Sequence, residues 1–220
     1  LPVRQSYLQC RAQHRDPRRA RVRREDGGGG DSNWSTATNW STDVAPAATG
    51  DTLIFAGTTN LTTNNDIVTA LATSGTALTF ASGAGAFTLG GGSITMGLGS
   101  GAQTIISQQS TNAQVVSSNI TLIGGGFDRS IVFASGAGGL TLSGNINFAN
   151  DWLFPTSAQP GTIILSGTNS GDGKGGAVAG VGNTNTMRGM MRTNAANTQL
   201  VLGSDTALGN SGSGSASAGT

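Results

Sequence analysis

Short apolar runs alternate with polar residues at period two along most of this chain, which is the pattern of half-buried β-strands. The runs are Thr52–Phe55, Leu78–Phe80, Phe87–Leu89, Ile94–Met96, Thr104–Ile106, Ile120–Leu122, Ile131–Phe133, Leu140–Leu142, Ile163–Leu165 and Leu200–Leu202. Each is three to five residues long, and successive runs often lie 7 to 15 residues apart. No helical period of ten residues occurs beyond residue 50. Gly, Asn and Ser separate the runs, as tight corners with φ > 0 require.

The pattern also repeats. Phe80-Ala-Ser-Gly-Ala-Gly85 recurs as Phe133-Ala-Ser-Gly-Ala-Gly138, and Thr88, Leu89 and Gly91 match Thr141, Leu142 and Gly144 at the same offset of 53 residues. Ser166-Gly167 after Leu165 echoes Ser143-Gly144 after Leu142. A three-residue strand buries too little surface alone, but stacked in register on its neighbours it pairs its backbone on both sides. Its inward Leu, Ile, Val and Phe then join a continuous core, as in solenoid repeats. The fold class expected is therefore all-β: a right-handed parallel β-helix, or solenoid, of short strands with an unstructured N-terminal head. At roughly 20 residues per coil it would make about eight or nine coils. A β-sandwich is the competing fold. The repeat predicts that Phe80 and Phe133 occupy equivalent inward positions on one face.

Composition divides the chain in three. Residues 1–26 form an Arg-rich head, 27–50 a Trp- and Gly-rich N-terminal cap, and 51–220 the solenoid, with both chain ends reading as cuts and the C-terminus as truncated. The head holds eight arginines against Asp16, Glu25 and Asp26, a net charge of +5, whereas 27–220 is net −4. With little to bury, residues 1–25 are expected not to pack on the body. Arg/Pro/Ala-rich text is also what GC-rich coding DNA gives in a wrong frame, so the head is a candidate foreign segment. The body has no basic patch for a phosphate backbone, so nucleic acid is not an expected partner. Cys10 and His14, the single cysteine and histidine, lie in the head. No run is long enough to span a membrane as a helix.

The stretch from Asp26 through Trp34 and Trp40, on through Pro46 to Gly50-Asp51-Thr-Leu-Ile-Phe55, and the later Phe80–Leu89 and Leu165–Asn169 carry a further signal. Over roughly residues 26–210 the chain resembles proteins with the autotransporter-associated β-strand repeat. That resemblance implies a passenger region of an exported bacterial protein, at the extracellular or outer-membrane surface, with extracellular polysaccharide or a host or neighbouring cell surface as partner. The family's repeats are structural, so it transfers no catalytic residue and no cofactor. An export signal expected before the Trp motif is replaced here by arginines, and the C-terminal anchor such proteins carry is not in this stretch.

Each candidate for chemistry also has a plainer structural role. Gly167–Gly175 has Thr168 and Gly175 where a phosphate loop needs Gly and Ser or Thr, so it reads as a coil corner. Gly27–Asp31 and Gly124–Asp128 miss the calcium nonapeptide. Asn64-Asn65-Asp66 offers oxygen ligands but fits an Asx-type turn. Thr36-Ala-Thr38 and Thr184-Asn-Thr186 are too isolated for an ice-binding face. Trp34 and Trp40 read as a cap over the first coil rather than a sugar platform. Met187, Met190 and Met191, flanked by Arg188 and Arg192, read as a loop folding back on the core. The alternative to a passenger is a carbohydrate-active β-helix enzyme, for which Asp128-Arg129 and Asp151 are the members to watch. Asp128 and Asp151 are 23 residues apart, near one expected coil. Residues 27–220 lack His, Cys and Glu, so a non-enzyme with no catalytic, cofactor or metal residues is expected.

Overall fold

A computed structural model describes residues 21–97, 101–123 and 128–149, together with four later strands. The chain winds as coils of short strands. It enters on β1 (Val22–Glu25) and continues through β2 (Thr52–Phe55) and β3 (Thr62–Asn65). The next three coils are β4 (Leu78–Phe80), β5 (Thr88–Gly91) and β6 (Ile94–Met96); β7 (Gln103–Gln108), β8 (Gln114–Val116) and β9 (Ile120–Leu122); and β10 (Asp128–Phe133), β11 (Leu140–Leu142) and β12 (Ile146–Ala149). Then follow β13 (Trp152–Pro155), β14 (Thr162–Leu165), β15 (Ser170–Gly171) and β16 (Gln199–Leu202).

Stacking the coils makes three sheets, and every strand pair in them is parallel. The first has the order β1-β2-β4-β7-β10-β13, the second β3-β5-β8-β11-β14-β16 and the third β6-β9-β12-β15. Single bridges from Thr49 to Ala70 and from Ala70 to Thr95 carry the third sheet on towards the N-terminus. The expected all-β solenoid is what forms, and among the described residues no sandwich of antiparallel sheets does.

Coil length differs from the expectation. Ile94 pairs with Ile120 and Ile120 with Ile146, a step of 26 residues where roughly 20 were expected. The described strands make about five turns rather than eight or nine. Three faces need three corners, and the corners take up more chain than the strands do.

Most strands bury alternate residues. In β4, β6, β9 and β11 the first and last residues are inward and a single Thr faces out. Each inward Leu, Ile or Phe contributes about 1.5–3 kcal/mol relative to exposure. One irregularity sits in β7, where Ile105 is an extra residue opposite the Ser130/Ile131 step of β10, so Ile105 and Ile106 both point inward.

The 53-residue repeat is two coils. Phe80 pairs with Gln108 and Gln108 with Phe133, and all three side chains are buried in one inward column of the first sheet. The expected equivalence of Phe80 and Phe133 is met, with a glutamine between them. Gln108 Nε2 donates to the carbonyls of Asn112 (2.9 Å) and Gly138 (3.1 Å), and its Oε1 accepts from the Ser110 N–H. Ser110 Oγ and Asn112 Nδ2 donate to the Ala84 carbonyl, and Gln114 Nε2 donates to that of Gly85. A polar corner is thus laid between two Phe-Ala-Ser-Gly-Ala-Gly corners and satisfies the backbone of both. Gln108→Leu should therefore destabilise the fold by about 2–4 kcal/mol, since the Gly138 carbonyl and the Ser110 N–H lose this partner, while the Asn112 carbonyl keeps Gln114 Nε2 at 2.9 Å. Gln108→Phe, which makes the column uniform, should destabilise as well. Urea denaturation of each variant checks this.

Gly144 of the Ser143-Gly144 pair has a steric reason. A Cβ at Gly144 would lie 2.2 Å from the Ser118 carbonyl oxygen of the coil beneath.

Val22–Glu25 belong to the solenoid rather than to a separate head. They are its first strand, paired along their length with Thr52–Phe55, so the boundary at residue 26 and the non-packing of residues 1–25 are corrected for this part. Residues 1–20 lie outside the described residues. Arg23 and Glu25 face inward, which is why a strand with three charges escapes a hydrophobic pattern.

Candidate functional surfaces

The N-terminal end of the stack holds the densest side-chain chemistry. Trp34 and Trp40 are each 1% exposed. Their rings meet edge to face at 6.2 Å and pack on Phe55 at 5.5 and 5.9 Å. Phe55 in turn touches Phe80 and Phe87. Trp34 Nε1 donates to Thr63 Oγ1 and Trp40 Nε1 to the Trp34 carbonyl, at 2.9 and 2.8 Å, so the indoles have no unpaired donor. The pair is a plug over the first coil, as the cap reading expected, and offers no face to a sugar.

Two polar groups hold this end together. Asn39 is buried, accepting from the Gly29 N–H through Oδ1 and donating through Nδ2 to the carbonyls of Asp31 and Asn33. The exposed Asp31 carboxyl is held below its ordinary range, chiefly by the Asn33 N–H and then by the Thr36 hydroxyl. Deeper in, Arg23 Nε lies 3.2 Å from Asp51 Oδ2, and Asp51 also accepts the N–H groups of Arg21 and Ala47. Glu25, two residues on from Arg23, is 2% exposed, and its Oε2 has no hydrogen-bond partner. Burial pushes its carboxyl up to about 7, against the N–H groups of Gly57 and Gly27, which pull it down, and with Asp26 adding repulsion. The absence of Glu from 27–220 therefore does not describe the folded body, because the body includes Glu25.

The other sequence candidates are dispersed. Asn65 is an Asx turn: its Oδ1 accepts from the Ile67 and Val68 N–H groups, and its Nδ2 donates to Val68 and Gly92 carbonyls. Asn64 Nδ2 donates to Asn33 Oδ1, and Asp66 accepts from Ser35. The Asn65 and Asp66 side-chain oxygens are thus engaged within the fold. Thr36 and Thr38 belong to a short 3-10 turn around Ala37–Asn39 and form no flat face. Among the described residues no group of three or more His, Cys, Asp or Glu is placed to hold a metal, and no helix is long and apolar enough to cross a membrane.

Arg129 is corrected most sharply. The sequence marks it as a candidate base for a surface groove, yet it is fully buried, with Nη1 donating to the Gly101 carbonyl at 2.6 Å. Gly97, at φ +81°, leaves room for it, since a Cβ there would lie 2.5 Å from Arg129 Nε. The backbone register sets Trp152, not Asp151, beside Asp128. The Asp128 side chain, Asp151, Gly124–Phe127, most of Gly167–Gly175, Thr184–Thr186, Met187, Arg188, Met190–Arg192, Cys10 and His14 lie outside the described residues.

What remains is the exterior. Residues 67–127 contain no charged residue at all. Outward columns run Thr49, Ala70, Thr95, Thr121, Asn147 on the third sheet and Ile54, Thr79, Ser107, Val132 on the first. On the second the column is Thr62, Thr88, Val115, Thr141, Ile164. At the corner before the third sheet the Asn145 N–H bonds to Asn119 Oδ1. Sequence reasoning foresaw outward Thr but missed Glu25, the Arg23–Asp51 pair and the Gln108 network. Only the position of Gln108 in a column of Phe55, Phe80 and Phe133 would have signalled the last. Compared with family models, curated proteins and solved structures, the chain matches none.

Proposed function

We propose that this chain is a structural or adhesive stretch of the passenger of an exported bacterial surface protein, acting at the extracellular or outer-membrane surface without catalysis. The observation that carries the reading is the absence of charge from residues 67–127, whose described outward side chains are mostly hydroxyl, amide and small, with Val115 and Ile123 among them. Such a surface offers hydrogen bonds to neutral polymers and no group for general acid–base work. It also gives no counterion release, so binding to a neutral polysaccharide would change little with salt. The resemblance through Trp34 and Trp40 to the autotransporter-associated repeat supports the same reading.

Two measurements test it. Antibody to the body should label intact cells that express the protein, and labelling only after permeabilisation would refute surface display. Purified protein should retain a neutral polysaccharide with similar strength at low and at roughly tenfold higher salt, and release no shortened product. Turnover that is lost in Asp128→Ala or Asp151→Ala would establish the enzyme instead.

A further inference from the structure

We propose that strand β1, with Glu25 as its buried carboxyl, is a pH-sensitive latch that closes the N-terminal end of the stack in mildly acidic surroundings and loosens it in mildly alkaline ones. Geometry carries the proposal. β1 is joined to β2 on one side, where the Thr52 N–H donates to the Arg21 carbonyl and the Ala56 N–H to that of Glu25. On the other side it holds the Trp segment, where Ser41 N–H donates to the Arg24 carbonyl and Asp26 N–H to that of Asn39. Glu25 is bridged to Trp40 and registered with Phe55, so its carboxyl sits at the joint of strand, plug and first coil. A Cβ at Gly57 would lie 2.9 Å from Glu25 Oε2, so the carboxyl fits tightly against this turn.

Among the described residues no cation answers this carboxyl. Arg23, on the same face of β1, is engaged with Asp51, and Arg24 is on the outer face. Asp26 follows directly and is repulsive. Asp31 and Asp43 stand on exposed parts of the Trp segment, and residues 52–60 bring no charged group. An ionised Glu25 is therefore a buried charge with no counter-cation, and the N–H groups of Gly57 and Gly27 only partly offset its burial, so the protonated form is favoured.

The sign follows from linkage. The closed state holds the proton up to about pH 7, while a released strand gives it up near the ordinary 4.5. Opening then becomes easier as pH rises through that window and levels off above it. A partly screened carboxyl at the end of the stack should change the opening equilibrium roughly tenfold to a hundredfold between about pH 5 and pH 8. Opening bares the edge of β2, and an unpaired edge is where another strand adds.

The test is amide hydrogen exchange of the full chain at about pH 5 and pH 8, corrected for intrinsic rates. The wild type should lose protection at Asp26, Ser41, Thr52 and Ala56 with rising pH, while Val115 and Ile120 stay constant. Glu25→Gln and Glu25→Leu should each remain protected at both pH values. Either variant suffices if the other does not fold. A pH-independent wild type overturns the latch. So does an equal slope in the variants, which would trace the effect to His14 or another retained group. A parallel loss at Val115 and Ile120 overturns it too, because the response would then be global.

Discussion

Phe55→Ala is expected to unfasten the N-terminal end of the solenoid at a cost of about 3–5 kcal/mol. Phe55 is touched by both tryptophans and by the phenylalanines of the next coil, Phe80 and Phe87. It is fully buried, so alanine leaves a cavity that rigid parallel strands cannot close. Aromatic partners each add about 0.5–1.5 kcal/mol beyond area, and four of them converge here. Phe55→Leu keeps most of the volume and should cost less than half as much. Guanidinium denaturation followed by tryptophan emission measures both. An alanine variant within about 1 kcal/mol of wild type would mean that the plug is not packed as described.

Asp51→Ala should cost a similar amount, about 3–5 kcal/mol, by a different route. The carboxylate accepts from Arg23 Nε and from the N–H groups of Arg21 and Ala47. Removing it leaves a buried guanidinium and two N–H groups without partners, and each is expensive. Asp51→Asn should fall between, since an amide oxygen still accepts. The double change Arg23→Met with Asp51→Leu should recover much of the loss, because no charge is then left buried. A double-mutant cycle reads the coupling directly. If Asp51→Ala and Arg23→Met simply add, the pair does not hold β1 to the body.

Those two sites show where the fold is legible in sequence and where it is not. Thr52–Phe55, Ile94–Met96, Ile120–Leu122 and Leu140–Leu142 match their strands residue for residue, because Thr alternating with large apolar residues fits a half-buried strand and little else. Coil length is not legible in the same way. The corner after Phe80 and Phe133 is apolar and glycine-rich, whereas the intervening corner after Gln108 is polar, so self-similarity appears only every second coil. β1 is hidden because its inward residues are Arg23 and Glu25, and β3 because its inward residues are Thr63 and Asn65. Polar side chains can fill inward positions when partners far along the chain satisfy them. Asp51 lies 28 residues from Arg23, and Gly92 lies 27 from Asn65. A pattern read over about ten residues does not see such partners. Arg129 shows the same blindness, since a surface base and a buried guanidinium look alike in sequence.

The coil register decides which side chains face in and which face out, and one distance tests it. With Cys10 replaced by serine, nitroxide labels at Thr95→Cys and Asn147→Cys would stand outward on the third sheet, two coils apart through Thr121. Two strand spacings put their backbones about 10 Å apart. Frozen-solution spectra should show strong dipolar broadening, absent from either single label. Doubly labelled protein whose spectrum is the sum of the two single-label spectra would contradict the solenoid.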